Sequence, residues 1–148
     1  EVQALVAEAN YATAQRNING LDFKRLSMIL AVLEKRLGFF MAKKDVFVNM
    51  VGGLKIDDPA VDLAVIGAIA SSLKEKALNK SMAVFGEVGL GGEVRSVAKA
   101  DNRINEAVSL GFSQIIIPKS NFTRIKTKKY NAEIIGVANV GEALHYMY

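Results

Sequence analysis

The sequence predicts a single α/β domain over residues 1–148, built from a mixed sheet with flanking helices. Strand and helix patterns alternate along the chain, and 51% of the residues are hydrophobic, as a packed core requires. No linker, internal repeat or low-complexity tract divides the chain. No apolar run reaches the ~18 residues of a membrane-spanning helix, so no membrane partner is expected.

The N-terminal part contains a strand, a polar connection and an amphipathic helix. Residues 1–7 carry apolar side chains at alternate positions, which is typical of a strand. Residues 11–20 are rich in Asn, Thr and Gln and are interpreted as a connection. Asp22 then caps a helix that ends at Gly38. One apolar stripe runs along this helix: Leu26, Ile29, Leu30, Leu33 and Leu37.

A second strand and helix follow at residues 45–51 and 60–73. Asp58 is a suitable N-cap and Pro59 suits the first helical position. Asp57, Asp58 and Asp62 could also suggest a cation site. Because Asp58 is accounted for as a cap and no second ligand cluster accompanies it, we predict no metal site.

The central part is predicted to contain a strand at 81–89, a Gly-rich turn, a short extended segment at 93–97 and a helix at 98–110 that ends at Gly111. Residues 86–94 are Gly-rich but lack the Gly-Lys-Ser/Thr of a phosphate-binding loop. We therefore interpret them as a tight hairpin and not as a nucleotide site.

The C-terminal part contains strands at 114–118 and 132–138 and a terminal helix at 140–147. Pro118 ends the first of these strands. The only histidine, His145, lies on the amphipathic terminal helix. A surface or half-buried role is expected for it, since no Ser-His-Asp arrangement can be assembled.

The composition excludes several kinds of chemistry. The chain has no cysteine, which removes disulfides, thiol nucleophiles and zinc ribbons and fits a reducing cytoplasm. The net charge of +4 favours an anionic partner, with ordinary solvated lysines as the alternative. The chain begins without a methionine, so we expect a fragment of a longer protein.

Four ordered segments carry a resemblance that covers nearly the whole chain. They are GLDFKRLSMILAVLEKR (20–36), DVFVNMVGGLKIDDPAVDLAV (45–65), FGEVGLGGEVRSV (85–97) and EAVSLGFSQIIIPKSN (106–121). The sequence resembles the C-terminal domain of the bacterial RadA (Sms) family of DNA repair proteins. That domain is in turn similar to the proteolytic domain of Lon protease, which implies a Lon-protease-like fold for residues 1–148.

Lon-type peptidases use a Ser–Lys dyad, and both dyad positions are altered in this sequence. The family motif places Ala60 where the nucleophilic serine lies and Asp101 where the lysine base lies. Lys99 is two residues from the base position. A hydroxyl nucleophile needs a base within hydrogen-bond reach, so the resemblance implies a degenerate peptidase site without catalytic residues.

The resemblance also implies a cytoplasmic protein that works in recombination and branch migration. Such a protein has an N-terminal zinc ribbon and a RecA-like ATPase domain, assembles as a hexameric ring on DNA, and cooperates with recombination proteins such as RecA. ATP, magnesium and zinc would bind outside this chain, which would be the scaffold and DNA-contacting part. An oligomerisation-only module and an active Ser–Lys peptidase are the alternatives.

Two sets of cations are candidate DNA contacts. The first basic group consists of Arg16, Arg25, Lys55 and Arg95. The second basic group consists of Lys119, Arg124, Lys126, Lys128 and Lys129, interleaved with Phe122 and Tyr130 as stacking groups. Ion pairing with nearby carboxylates such as Glu93 is the alternative for the first group, and a solvated loop is the alternative for the second. Three apolar residues, Phe39 to Met41, are an interface candidate, or else a segment folded under the core.

Overall fold

A three-stranded mixed sheet forms the first layer of the computed structural model, which describes residues 1–148. Strand β3 (Lys44–Met50) lies between β1 (Val2–Glu8), which is antiparallel to it, and β2 (Arg16–Asn19), which is parallel. The mixed sheet is confirmed, but the expected connection at 11–20 contains β2. In β2, Ile18 faces the core and the asparagines on either side of it are exposed. This alternation of apolar and polar residues is too short to be recognised as a strand within a polar segment.

Two helices cover the inner face of this sheet. Helix α1 (Phe23–Leu37) begins where the Asp22 carboxylate accepts a hydrogen bond from the Arg25 N–H at 3.1 Å, and it ends at Gly38 in the left-handed region. A 3₁₀ turn (Pro59–Val61) precedes helix α2 (Asp62–Lys74). Asp58 therefore caps the 3₁₀ turn, and the α-helix begins two residues later than predicted.

A second, fully parallel sheet places β7 (Gln114–Pro118) between β4 (Met82–Val84) and β8 (Glu133–Val137). The single strand predicted at 81–89 is wrong, because the chain leaves the sheet after β4. Gly86 instead donates its N–H to the Ala60 carbonyl at 2.9 Å and accepts the Leu63 N–H at 3.1 Å. This exchange ties Gly86 to the entrance of α2.

A short antiparallel hairpin, β5 (Glu87–Val88) with β6 (Val94–Arg95), follows and confirms the hairpin interpretation. Helices α3 (Ala100–Ser109) and α5 (Val140–Met147) lie close to their predicted positions. Helix α4 (Lys119–Phe122) was not expected, since the segment after Pro118 was interpreted as a loop. Phe122 holds it against β8, packing over Gly136, which has no side chain to interfere.

The core has two parts. The larger part joins the first sheet to α1, α2 and α5, and the smaller lies between α3 and the inner β4–β7 surface. The segment Phe39–Met41 is divided between core and surface, because Met41 is buried whereas the Phe40 side chain is 59% exposed. No helix in the chain has both the length and the apolar character needed to cross a membrane.

Vacant peptidase positions and candidate nucleic-acid interface

The resemblance aligns Ala60 and Asp101 with a peptidase dyad, and we call these two residues the vacant peptidase positions; the first of them, Ala60, is buried. The Ala60 side chain is 3% exposed and belongs to the smaller core, together with Ala100 at the start of α3. The backbone of Ala60 is also engaged, since its N–H donates to Asp58 Oδ1 at 2.9 Å and its carbonyl accepts from Gly86. A methyl group packed in this way carries no nucleophile.

The corresponding base position holds a carboxylate with two donors on it. Asp101 is exposed and accepts hydrogen bonds from the Tyr130 hydroxyl and from Lys129 Nζ, the latter at 3.1 Å. These donors, Tyr130 first and then Lys129, lower the pKa of the Asp101 carboxyl below its ordinary value. Lys99, directly before α3, is exposed with a left-handed backbone (φ 58°).

Arg103 of α3 connects that helix to Asp58, two residues before Ala60, and the sequence analysis did not predict this contact. Its Nη2 donates to Asp58 Oδ2 at 2.6 Å, its Nε donates to the Ala98 carbonyl at 2.9 Å, and its guanidinium lies over the Phe85 ring at 5.9 Å. The Ala60 N–H and then Arg103 lower the pKa of Asp58. Asp58 and Arg103 lie 45 positions apart in the sequence, so no local sequence pattern predicted that they pair.

Arg25 of the first basic group forms a buried ion pair with Asp62. Its Nε donates to Asp62 Oδ1 at 2.6 Å, and its Nη2 pairs with Oδ2. Asp62 is 1% exposed and also accepts the Val88 N–H at 2.9 Å, so it joins α1, α2 and β5. Hydrogen bonding to Asp62 raises the pKa of Arg25. The Arg25 side chain remains 26% exposed, and its Nη1 makes no hydrogen bond within the chain.

Arg95 lies beside the same hairpin strand. It is directly across from Glu87 of β5, and its Nε and Nη2 both donate to Glu93 Oε1, at 3.0 and 2.8 Å. Its side chain is 60% exposed. Arg25 is linked to β5 through Asp62, which accepts the Val88 N–H, and Arg95 lies on the paired strand β6, so two arginines 70 residues apart in sequence are both anchored at this hairpin. Both arginines form an ion pair with a carboxylate, Arg25 with Asp62 and Arg95 with Glu93.

The other two members of the first basic group differ from each other. Arg16 donates to the carbonyls of Met41 at 2.8 Å, Gln15 at 3.1 Å and Lys44, which fixes the strand ends around β2. Lys55 is exposed on the approach to the Pro59 turn, with its Nζ 3.7 Å from Asp57. Arg16 is therefore committed to the backbone, whereas Lys55 is free to meet a ligand.

The second basic group lies on α4 and the segment after it. Four of its members are exposed and form no ion pair: Lys119, Arg124, Lys126 and Lys128. Lys129 instead pairs with Asp101 and lies over the Tyr130 ring at 5.0 Å. Of the two interleaved aromatic residues, Phe122 packs against Gly136 of β8, and Tyr130 has the Lys129 ammonium over its ring.

Comparisons with known proteins place this geometry in context. A family model described as "Subunit ChlI of Mg-chelatase" matches residues 21–121. The chain is 46% identical over 148 residues to the protein named DNA repair protein RadA from Streptococcus pneumoniae, covering 100% of this chain and 35% of that protein. It is 44% identical over 144 residues to the RadA protein of Bacillus subtilis, and 43% identical over 144 residues to that of Listeria monocytogenes. These two matches each cover 97% of this chain and 31% of the relative, so the chain spans about a third of its curated relatives.

Proposed function

This chain belongs to the family described as subunit ChlI of Mg-chelatase and is a RadA-type domain, and from that premise we propose that it is a DNA-binding, ring-forming scaffold without catalytic activity. The proposed whole protein is a RecA-like ATPase of recombinational DNA repair and branch migration, acting in the cytoplasm. ATP, magnesium and zinc are assigned to its other parts. A hexameric ring and cooperation with RecA belong to the same proposal.

The observation that supports the proposal is that Arg25 and Arg95 are both anchored at the β5–β6 hairpin, Arg25 through Asp62 and Arg95 as a residue of β6. Guanidinium groups bind phosphate through a planar fork, and both arginines are held in place by carboxylates. Arg25 presents its unbonded Nη1, and Arg95 is the more exposed of the two. Lys55 is a further exposed cation on the approach to α2. Because phosphates carry no base information, this face would bind DNA of any sequence.

A peptidase function is not proposed, because the positions of the dyad hold a buried methyl group and a carboxylate. The oligomerisation-only module is the second candidate. The exposed Phe40 ring favours it, since a large apolar side chain on the surface suits a contact between subunits.

Salt-dependent DNA binding tests the proposal. Fluorescence anisotropy with a labelled DNA duplex would give the slope of log K against log salt, which is about 0.9 per phosphate contact. Arg95→Ala should lower the slope by about one unit. The pair Arg25→Gln with Asp62→Asn removes one positive and one negative charge, so the net charge of +4 is unchanged. A lower slope in this pair would therefore report the lost guanidinium contact and not a change in net charge.

The matched control is Lys43→Ala, which removes an exposed lysine that forms no ion pair and belongs to neither basic group. A four-site alanine variant of Lys119, Arg124, Lys126 and Lys128 tests the second basic group. If only that variant loses binding, the DNA face moves to α4 and the segment after it. If the unmodified chain does not bind DNA, or if every variant binds DNA as tightly as the unmodified chain, the oligomerisation-only function replaces the proposal.

A further inference from the structure

A groove with a lysine rim lies on the side of the molecule where α1, α2 and α5 end. Its volume is about 540 Å³, and its floor is apolar, formed by Leu37, Phe39, Leu144 and Tyr148. Lys74 and Lys76 stand at the rim and His145 lies beside them. We name this feature the lysine groove. It is separate from both basic groups and from the vacant peptidase positions.

The positive charge of the lysine groove lies on Lys74 and Lys76 at its rim. No Asp or Glu lines it, and neither lysine forms an ion pair in the chain. Lys74 Nζ lies 5.4 Å from the Phe39 ring centre and 4.8 Å from that of Tyr148, and Lys76 Nζ lies 5.3 Å from the Tyr148 ring. Cation–π contacts of this kind hold the ammonium groups over the apolar floor while leaving their charge unpaired.

The same geometry disfavours nucleic acid. Single-stranded DNA binds such surfaces by stacking bases on aromatic faces, but here ammonium groups already lie over both rings. A concave groove with a floor of leucine side chains also does not match the convex phosphate backbone of a duplex. A flexible segment that carries carboxylates around an apolar side chain fits both the rim and the floor.

We propose that the lysine groove binds an acidic peptide segment of a partner protein. An apolar side chain of the peptide packs on the floor between Phe39 and Leu144, and flanking Asp or Glu residues pair with Lys74 and Lys76. Complementary charge sets which segments are accepted, and burial of the apolar anchor supplies affinity. This inference does not depend on the proposed DNA face.

Selection from a random 12-residue peptide library displayed on phage tests the inference with the chain as printed. The enriched peptides should be acidic and contain an apolar residue. Synthetic, fluorescein-labelled copies should bind at least about tenfold more weakly when Lys74 and Lys76 are both changed to Glu, because each attraction becomes a repulsion. The control variant, Lys43→Glu with Lys80→Glu, makes the same change in net charge with exposed lysines elsewhere and should bind normally.

Two further measurements keep the result decisive. In NMR spectra of the unmodified chain, the labelled peptide should shift the amide signals of Phe39, Lys74 and Leu144, whether or not the charge-reversed variant folds. A 12-nucleotide single-stranded oligonucleotide should not displace the peptide. Enrichment of neutral or basic peptides, equal weakening in both double variants, shifts confined to other surfaces, or displacement by the oligonucleotide would each overturn the proposal.

Discussion

Replacing Arg25 by Ala should destabilise the fold, because it leaves the Asp62 carboxylate buried without its cation. The carboxylate accepts two hydrogen bonds from the guanidinium and one from the Val88 N–H. In the Arg25→Ala chain only the Val88 bond remains. The charge at Asp62 must then stay in a site that is 1% exposed, or the surrounding structure must rearrange to admit water.

The size of the effect follows from the burial of each partner. Removing one partner of a buried ion pair costs about 3–5 kcal/mol. Water reaches the Arg25 side chain, and the Val88 bond persists, so we expect the lower end, about 3 kcal/mol. For a chain of this length each 1 kcal/mol lowers the melting temperature by roughly 2–4 °C, which gives a decrease of roughly 6–12 °C.

Urea unfolding at pH 7, followed by circular dichroism, measures this free energy. Arg95→Ala is the control, because it removes an arginine whose ion pair with Glu93 is exposed and should change the free energy of unfolding by less than about 1 kcal/mol. The double variant with Asp62→Asn should recover part of the loss, since a neutral amide oxygen still accepts the Val88 N–H. A loss in Arg25→Ala no larger than that of the control would refute the assigned role of the pair.

Three other perturbations probe the site and the turn at Gly86. Ala60→Ser should give no hydrolysis of an unstructured protein substrate, because Asp101 cannot replace the lysine base; release of labelled peptides would contradict this. The pKa values of Asp58 and Asp101 are lowered in the folded chain, so their stabilisation is present above about pH 4 and disappears as the pH falls through the folded values. Urea titrations at successive pH values should show this loss, and Asp58→Asn should make it smaller. Gly86→Ala should cost about 1–3 kcal/mol, because the new Cβ would lie 2.7 Å from Val94 Cγ1; an unchanged unfolding midpoint would show that the hairpin yields.

Local signals predicted most of the fold. The Asp22 and Gly38 ends of α1 were confirmed because a cap requires only nearby residues. Strand β2 and helix α4 were missed for the opposite reason. Each has only four residues, and each is held by contacts with residues elsewhere in the chain: β2 by pairing with β3 and by the bonds from Arg16 to the Met41 and Lys44 carbonyls, and α4 by the fit of Phe122 against β8.

The sequence predicted which residues occupy the candidate site, but it did not predict the contacts between them. The resemblance aligned Ala60 and Asp101 with the dyad positions, and neither residue is a serine or a lysine. It could not show the ion pairs around these positions, since Arg103 meets Asp58 and Lys129 meets Asp101 only after the chain has folded. Arg25 lies in the first turn of α1, where the helix dipole favours an anion over a cation. Its partner, Asp62, lies 37 residues away, and this pair accounts for the anomaly.

These contacts also explain why the start of α2 keeps its shape without a nucleophile. Asp58 caps the 3₁₀ turn and holds Arg103 of α3, while Asp62 holds Arg25 of α1 and the N–H of β5. Two carboxylates four residues apart thus join four elements of the fold. A change of Ala60 alters one buried side chain, whereas a change of either aspartate would release several contacts at once. The hydrogen bonds and ion pairs of Asp58 and Asp62 therefore stabilise the start of the helix. Through the Val88 N–H, Asp62 also supports the hairpin that carries the proposed DNA contacts.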